Sequence, residues 1–171
     1  FGSSVVSCSQ LQLALDSPQL LHAAVITMAS FRGTRCLQTD FSPGHGNALQ
    51  ACVASALGLQ IQDVPNFIQY SDYMEKLQSF LRPFGLAFLK VTLTPGEELP
   101  FKMDGALCVL AGQSPRGDHR HCCVGMAALT RSKDRAELQI LHDPHPDATG
   151  LRGPPLWAGM AAVTRSEDRA E

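Results

Sequence analysis

CLQTDFSPGHGNALQACVASALGL, at residues 36–59, is the stretch from which the fold of this chain is predicted. Its first half contains SPGHGN at 42–47, a run of residues that break regular structure. Its second half has apolar residues at helical spacings of three and four: Leu49, Cys52, Val53, Ala56 and Leu57. Asn47 is a suitable N-cap, and Gly58 can end the helix. The sequence therefore predicts a tight loop leading to a helix N-terminus, where free N–H groups and the positive end of the dipole converge.

A cysteine at such an N-terminus has a lowered pKa and acts as a nucleophile. The segment resembles the nucleophile region of papain-like cysteine hydrolases, in particular the smaller C39-like peptidases. On this resemblance Gln38 matches the oxyanion-hole glutamine, and NALQACVAS at 47–55 matches the start of the nucleophile helix. Ala48 occupies the nucleophile position, and the loop between Gln38 and Ala48 is longer than is usual in the family. Gly46 and Asn47, beside this position, are the expected substrate-binding residues.

Two further residues fit the same family. His121 opens a strand pattern, HCCV, as the general base of the family does. Asp143 stands before a proline in LHDP, at the end of the next predicted strand, where C39-like enzymes place the carboxylate that orients the imidazole. Such a carboxylate fixes the imidazole tautomer and stabilises the imidazolium that forms when the thiol loses its proton. His119, two residues before His121, is the reserve base.

Elsewhere the chain predicts helices first and strands afterwards. Residues 8–30 have apolar residues at roughly helical spacing, and a further helix is predicted from about Asp72, where Asp72 and Glu75 have the spacing of a capping box. Strands are predicted at 86–93, 106–112, 121–130 and 138–142. Helices followed by antiparallel strands indicate the α+β class. This order also matches the papain-like arrangement, with the nucleophile helix before the sheet that bears the histidine.

The expected organisation has three parts. Residues 1–35 form an N-terminal helical extension, residues 36–150 the papain-like domain, and residues 151–171 a C-terminal tail. The tail contains a repeat, because VGMAALTRSKDRAE at 124–137 recurs as AGMAAVTRSEDRAE at 158–171, with eleven of fourteen positions identical. Two copies are too few for a solenoid, which needs about three or more. We expect the second copy to lie on a sheet edge or outside regular structure. Exchange of the copies in one strand position is a further hypothesis.

Composition limits the classes of function. The chain has 171 residues, of which 44% are apolar and 18% charged, as in one globular domain. A net charge of −2 gives no reason to expect nucleic acid or an anionic membrane as partner. The apolar run at 23–29 is too short to span a bilayer, and the first residues lack the pattern of a signal peptide. Neither a Walker A loop nor GxGxxG occurs, and no cofactor is expected.

The cysteines bear on both compartment and chemistry. The chain has six cysteines: Cys8, Cys36, Cys52, Cys108, Cys122 and Cys123. Because their spacings form no disulfide framework, we expect the cytoplasm or another reducing compartment. Cys52 and Cys108 lie in apolar segments and are expected to be buried. Cys52 is the reserve nucleophile, although it lies one turn deeper in the helix, where the N–H groups are already bonded.

Zinc binding is the competing chemistry. Residues of the types that bind zinc cluster in the second half of the chain: His119, His121, Cys122, Cys123, His142 and His145. Cys122 and Cys123 are adjacent on a predicted strand, so their side chains point to opposite faces. Neither CxxC nor HExxH occurs. We therefore expect no metal site.

The favoured hypothesis is a papain-like, C39-like cysteine hydrolase that acts on a peptide or other amide through a thioester. Gln38 and the N–H group of residue 48 hold the oxyanion in this hypothesis. Ala48 makes the present chain inactive, either because a cysteine has been replaced, which we favour, or because the protein is a natural pseudoenzyme that binds or scaffolds a protein partner. Peptidase, amidase, transferase and deamidase activities stay open at this point.

Overall fold

A five-stranded antiparallel sheet is the frame onto which the other elements pack. The computed structural model describes residues 34–94, 105–129 and 136–163. Its strands are β1 (Leu86–Thr92), β2 (Ala106–Gln113), β3 (Arg120–Leu129), β4 (Ala136–His142) and β5 (Arg152–Val163). The described helices are α1 (Ala48–Leu57) and α2 (Tyr73–Leu81), with 3₁₀ turns at Ile61–Asp63, Phe67–Gln69 and Arg82–Phe84. The α+β class is thus as the sequence predicted, and the ends of the four predicted strands are right to within two residues.

Parts of the sequence prediction lie outside these ranges, namely the helices expected over 8–30, Cys8, residues 130–135 of the first repeat copy and residues 164–171 of the second. Among the described residues, no helix is both long enough and apolar enough to cross a bilayer. The main core lies between α1, α2 and the sheet. Its largest fully buried side chains include Phe67, Leu77, Leu81 and Val124. Burial of each such side chain contributes about 1.5–3 kcal/mol to stability.

The N-terminus of α1 is positioned by Asn47. Asn47 Oδ1 accepts the N–H groups of Thr39 and Asp40, both at 2.9 Å. Its amide group donates to Thr39 Oγ1 and to Gln50 Oε1, both at 3.0 Å. Asn47 stands at the N-cap position, as predicted, but within the described segment its side chain makes no capping bond to the backbone of α1. Gly58 ends α1 in the left-handed conformation, as predicted.

The predicted capping box of α2 was wrong. Asp72 stands at the N-cap position, but its side chain makes no capping bond within the described segment. Asp72 Oδ2 instead lies 3.7 Å from Lys76 Nζ, an ion pair one turn apart. The helix nevertheless begins where it was predicted, next to Asp72. Its predicted apolar face is also present, since Leu77 and Leu81 are both buried.

β5 corrects the placement expected for the second repeat copy. The strand order is β1-β5-β2-β3-β4, so β5 lies inside the sheet and not on its edge. A domain boundary at residue 150 would therefore separate β5 from the two strands that it pairs with. Pro154 and Pro155 obscured this strand in the sequence, since proline cannot donate to a sheet. They lie where pairing with β2 is interrupted, between the pairs at Ala111 and Gln113.

The described parts of the two repeat copies flank β2, one in β3 and one in β5. Gly125 pairs with Cys108, whereas Gly159, its equivalent, pairs with Val109. The copies thus differ in register by one residue. Because side chains alternate along a strand, this shift turns equivalent positions to opposite faces of the sheet. The repeat therefore supplies two interior strands that face different surroundings.

Candidate active site

A cavity of about 550 Å³ lies beside the N-terminus of α1 and the start of β3. The loop before α1 forms one wall, and its residues Gln38 and Gly46 contact the cavity together with Ala48. His119 and His121, at the start of β3, also line the cavity. The structure therefore brings the predicted nucleophile position, the predicted base, the reserve base and the predicted oxyanion glutamine to one cavity.

His121 forms a buried hydrogen bond with Asp143, from Nε2 to Oδ1 at 2.7 Å. β3 and β4 are adjacent antiparallel strands, and Asp143 directly follows β4, so the hairpin places the two side chains together. Asp143 also accepts the N–H of His145 through Oδ1 at 2.8 Å and the N–H of Gly150 through Oδ2 at 2.7 Å. The carboxylate therefore both contacts the imidazole and holds the turn that follows β4.

The electrostatics of this pair favour an ionised carboxylate. Burial raises the pKa of Asp143, but the hydrogen bonds from His121 and from the N–H groups of His145 and Gly150 outweigh burial and leave the pKa below its ordinary value. An ionised carboxylate only accepts hydrogen bonds, so Nε2 of His121 is the donor. Nδ1 is then the ring nitrogen that is available to accept a proton from a group in the cavity that His121 lines.

On the helix side of the cavity, Ala48 is the first residue of α1. Its N–H belongs to the first turn, where the N–H groups have no acceptor within the helix. The first intrahelical bond runs from the N–H of Ala51 to the carbonyl of Asn47, at 3.0 Å. The helix side therefore has backbone N–H groups without an intrahelical acceptor, whereas the methyl group of Ala48 cannot act as a nucleophile.

Gly46 and Asn47 have different roles, although both were expected to bind substrate. Gly46 lines the cavity, and a Cβ at this position would lie only 2.9 Å from the carbonyl oxygen of Asp40. Glycine is thus required for the close approach of the two loop segments. Asn47 is buried, and its side chain is fully occupied by the loop contacts described above. The side chain of Asn47 thus positions the loop against the start of α1, and a role in substrate binding stays a prediction.

Gln38 is held at the cavity from two sides. Its backbone N–H donates to the carbonyl of Pro144 at 2.9 Å, next to Asp143. Its Nε2 donates to the carbonyl of Asp40 at 3.2 Å, which uses one of the two hydrogens of that nitrogen. The second hydrogen of Nε2 has no acceptor among the described residues. The side chain is only 7% exposed, and Oε1 has no hydrogen-bond partner among the described residues.

The described cysteines are poor nucleophiles in this fold. Burial is the main factor that raises the pKa of each: Cys36, Cys52, Cys108, Cys122 and Cys123. Cys52 is completely buried, as predicted, and its pKa lies well above the ordinary value. Cys122 lines the cavity, but burial raises its pKa to about 12. Neither thiol has the lowered pKa that a nucleophilic cysteine requires.

The zinc alternative finds limited support in the described part of the chain. Ligand atoms of His121, Cys123 and Asp143 lie within 4.8 Å of one another. The 2.7 Å separation of His121 and Asp143 is, however, a hydrogen-bond distance. Two atoms bound to one tetrahedral zinc at about 2.0–2.1 Å would be about 3.3 Å apart. Of the other candidate ligands, His142 uses Nε2 to contact the carbonyl of Cys36, at 2.8 Å.

Sequence reasoning missed Arg116 and Trp157, which both line the cavity. Arg116 belongs to the polar loop between β2 and β3 and gave no signal beyond its charge. Trp157 lies in β5, in the segment assigned to the tail. Its one available signal was that it is the single tryptophan of the chain. A large buried aromatic residue in the tail is evidence that the tail packs against the domain.

Comparison of the chain with protein-family models, with curated proteins and with solved structures finds no match. Function is therefore inferred from the cavity and from the residues that line it. Two features define that cavity chemically: the His121–Asp143 pair on the strand side, and the N-terminus of α1 with its free N–H groups on the helix side.

Proposed function

We propose that this domain has the active-site frame of a papain-like, C39-like cysteine hydrolase, and that with Ala48 it binds a peptide or other amide-containing ligand without cleaving it. The observation that carries this proposal is the 2.7 Å hydrogen bond between the buried His121 and Asp143 beside the cavity that Ala48 also lines. The pair has the arrangement of a general base with its orienting carboxylate, and α1 presents its N-terminus to the same space.

A cysteine at position 48 completes a hydrolytic mechanism in this frame. Its thiol proton passes to Nδ1 of His121, and the thiolate attacks the carbonyl carbon of the bound amide. The oxyanion accepts hydrogen bonds from the N–H of residue 48 and from Nε2 of Gln38, each of which contributes about 10²–10³-fold to the rate in comparable sites. The amine leaves with the proton from His121, and water then hydrolyses the thioester to release the acid and the thiol.

Ala48 removes the nucleophile and leaves the other elements of the cavity in place. The described cysteines do not replace it, because burial raises their pKa values. The volume of about 550 Å³ falls within the range of about 300–1,000 Å³ that is typical of ligand sites. Binding without turnover is the function that this combination supports, whether Ala48 replaces a cysteine or is the natural residue.

The proposal is tested by acylation of the Ala48→Cys variant with p-nitrophenyl acetate. We expect rapid release of p-nitrophenolate and a thioester at position 48, located by mass spectrometry, followed by slow hydrolysis. The double variant with His121→Ala should acylate about 10²–10⁴-fold more slowly, because the general base is lost. Ala56→Cys, with its thiol at the other end of α1, is the matched control. Equal acylation rates in Ala48→Cys and Ala56→Cys contradict the proposal.

A further inference from the structure

We infer that the ligand of this cavity carries a carboxylate close to an amide group, as a peptide does at an acidic side chain or at its C-terminus. The inference rests on the proposed function, since it names the class of ligand for the same site. It is drawn from the polar atoms that the fold leaves unpaired at the cavity, from the charge of the cavity wall and from the apolar surface that faces it.

The described residues contain three buried side-chain polar atoms without a hydrogen-bond partner: Gln38 Oε1, Asn66 Oδ1 and Arg116 Nη2. Gln38 and Arg116 both line the cavity. Proteins normally pair such atoms, because a buried unpaired donor or acceptor costs free energy. The two atoms are complementary in kind, since Oε1 accepts a hydrogen bond and Nη2 donates one. A ligand that satisfies both carries an N–H group and an anionic or carbonyl oxygen.

The guanidinium of Arg116 is oriented by contacts on one side only. Nη1 donates to Thr149 Oγ1 at 2.6 Å and lies 3.8 Å from Asp143 Oδ2. Asp143 is itself committed to three shorter hydrogen bonds, from His121 and from two backbone N–H groups. Nη2 is thus the terminal nitrogen of this guanidinium that has no hydrogen-bond partner among the described residues. A guanidinium is planar and always charged, and its donors match the geometry of a carboxylate.

The wall of the cavity is basic. Its titratable side chains, apart from one cysteine and one tyrosine, are arginines and histidines: Arg116, His119, Arg120, His121 and His145. Among the described lining residues there is no aspartate or glutamate. Burial lowers the pKa of His145 and the charge of Arg116 lowers it further, whereas Asp147 and Asp143 act in the opposite direction. The permanent charges of this wall are therefore those of Arg116 and Arg120, and a concave surface with charges of one sign attracts a ligand of the opposite sign.

An apolar surface completes the cavity. It is formed mainly by Phe41, Ile68, Tyr73 and Trp157. A ligand that fits therefore combines an apolar side chain with a carboxylate for Arg116 and an amide N–H for Oε1 of Gln38. A short acidic peptide has all three groups within the span of two residues, whereas an inorganic anion has neither the apolar group nor the amide.

Trp157 provides the probe, because it is the single tryptophan and lines the cavity. Its fluorescence is titrated with two matched pairs of dipeptides. N-acetyl-Phe-Asp-amide is compared with N-acetyl-Phe-Asn-amide, and N-acetyl-Phe-Gly acid with N-acetyl-Phe-Gly-amide. We expect the acid of at least one pair to bind about tenfold more tightly than its neutral partner, since a hydrogen bond to a charged group typically has an effect of this size or larger. The pair with the larger ratio identifies a side-chain or a C-terminal carboxylate as the source.

Substitution of Arg116 tests the residue that carries the preference. Arg116→Gln should bring the ratio within each pair close to one, and Arg116→Lys should retain only part of it, because lysine keeps the charge and loses the planar fork. Arg82→Gln is the matched control, since Arg82 is exposed and does not line the cavity. It should leave the ratio unchanged. A preference for acids that persists in Arg116→Gln overturns the assignment to Arg116.

Titration of the unsubstituted protein tests the inferred carboxylate even if an Arg116 variant fails to fold. Equal affinity for the acid and the neutral peptide of both pairs overturns the inferred carboxylate and leaves the proposed function standing. Failure of all four peptides to change Trp157 fluorescence or to bind in calorimetry also overturns it. The proposed function is judged separately, by acylation of Ala48→Cys with p-nitrophenyl acetate, which has no carboxylate.

Discussion

The two sides of the cavity differ in how much of the proposed catalytic site they contain. On the strand side, His121 and Asp143 are buried and bonded to each other, and the carboxylate has a lowered pKa. On the helix side, α1 offers free N–H groups, but Ala48 has no reactive atom. Asp143 also holds the turn from His145 to Gly150, so the strand side has a structural task as well. The comparison teaches that the His121–Asp143 pair also serves the fold, so that in the proposed function the residue at position 48 decides whether the site can react.

The largest effect on stability is expected from substitution of Asp143, on the strand side of the cavity. Asp143→Ala removes the acceptor of three hydrogen bonds and leaves buried donors unpaired. We expect the free energy of unfolding to fall by about 3–5 kcal/mol, measured by urea denaturation. Asp147→Ala is the control, because the Asp147 side chain is 57% exposed, and it should change stability by less than about 0.5 kcal/mol. A cost below about 1 kcal/mol for Asp143→Ala would show that the pair is not a structural element.

A smaller effect on stability is expected from a substitution in the loop before α1, on the helix side of the cavity. Gly46→Ala places a Cβ 2.9 Å from the carbonyl oxygen of Asp40 and 3.0 Å from that of Ser42, so the loop before α1 must shift. Overpacking of this kind costs about 1–3 kcal/mol, which urea denaturation measures. In the Ala48→Cys background the same change should also slow acylation, since the loop carries Gln38. Unchanged stability together with unchanged acylation contradicts the tight loop described here.

The third effect is a pH dependence of stability that arises from Asp143 on the strand side of the cavity. Because the folded pKa of Asp143 is lowered, the folded state binds this proton less readily than the unfolded state. The contribution of Asp143 to stability is therefore fully present above the unfolded pKa of about 3.9, and it is lost as the pH falls through the folded pKa. Urea midpoints measured from pH 5 downward should fall less steeply for Asp143→Asn than for the unsubstituted protein. Parallel curves would mean that Asp143 is not the group that titrates.

The sequence predicted the elements that depend on local pattern. The spacing of apolar residues placed α1, α2 and four strands, and the short connection between β3 and β4 brought His121 beside Asp143. The choice of strand partners was not predictable in this way, because β5 pairs with strands that are distant in sequence. Pro154 and Pro155 also led to a wrong prediction for this segment, because proline is unfavourable within a strand. The structure shows that both residues lie where the pairing with β2 is interrupted.

Side-chain partners were predicted least well. Asn47 has the right type and position for a cap, yet its amide bonds to Thr39 and Asp40, because the folded loop brings those N–H groups within reach. Arg116 lies in a polar loop, and only the folded structure places it on the cavity. Both cases depend on the path of a loop in three dimensions, which residue spacing does not specify.

The central claim is tested most directly by the rate of alkylation with iodoacetamide at each cysteine, followed by mass spectrometry. In Ala48→Cys, the thiol at position 48 should react fastest near neutral pH, because the helix N-terminus and His121 lower its pKa below about 8.5. His121→Ala in that background should slow this reaction, whereas Cys52 should stay slow in both proteins because it is completely buried. The account is contradicted if the thiol at position 48 reacts like an ordinary surface thiol, independently of His121. It is equally contradicted if Cys52 is alkylated fastest in the unsubstituted protein.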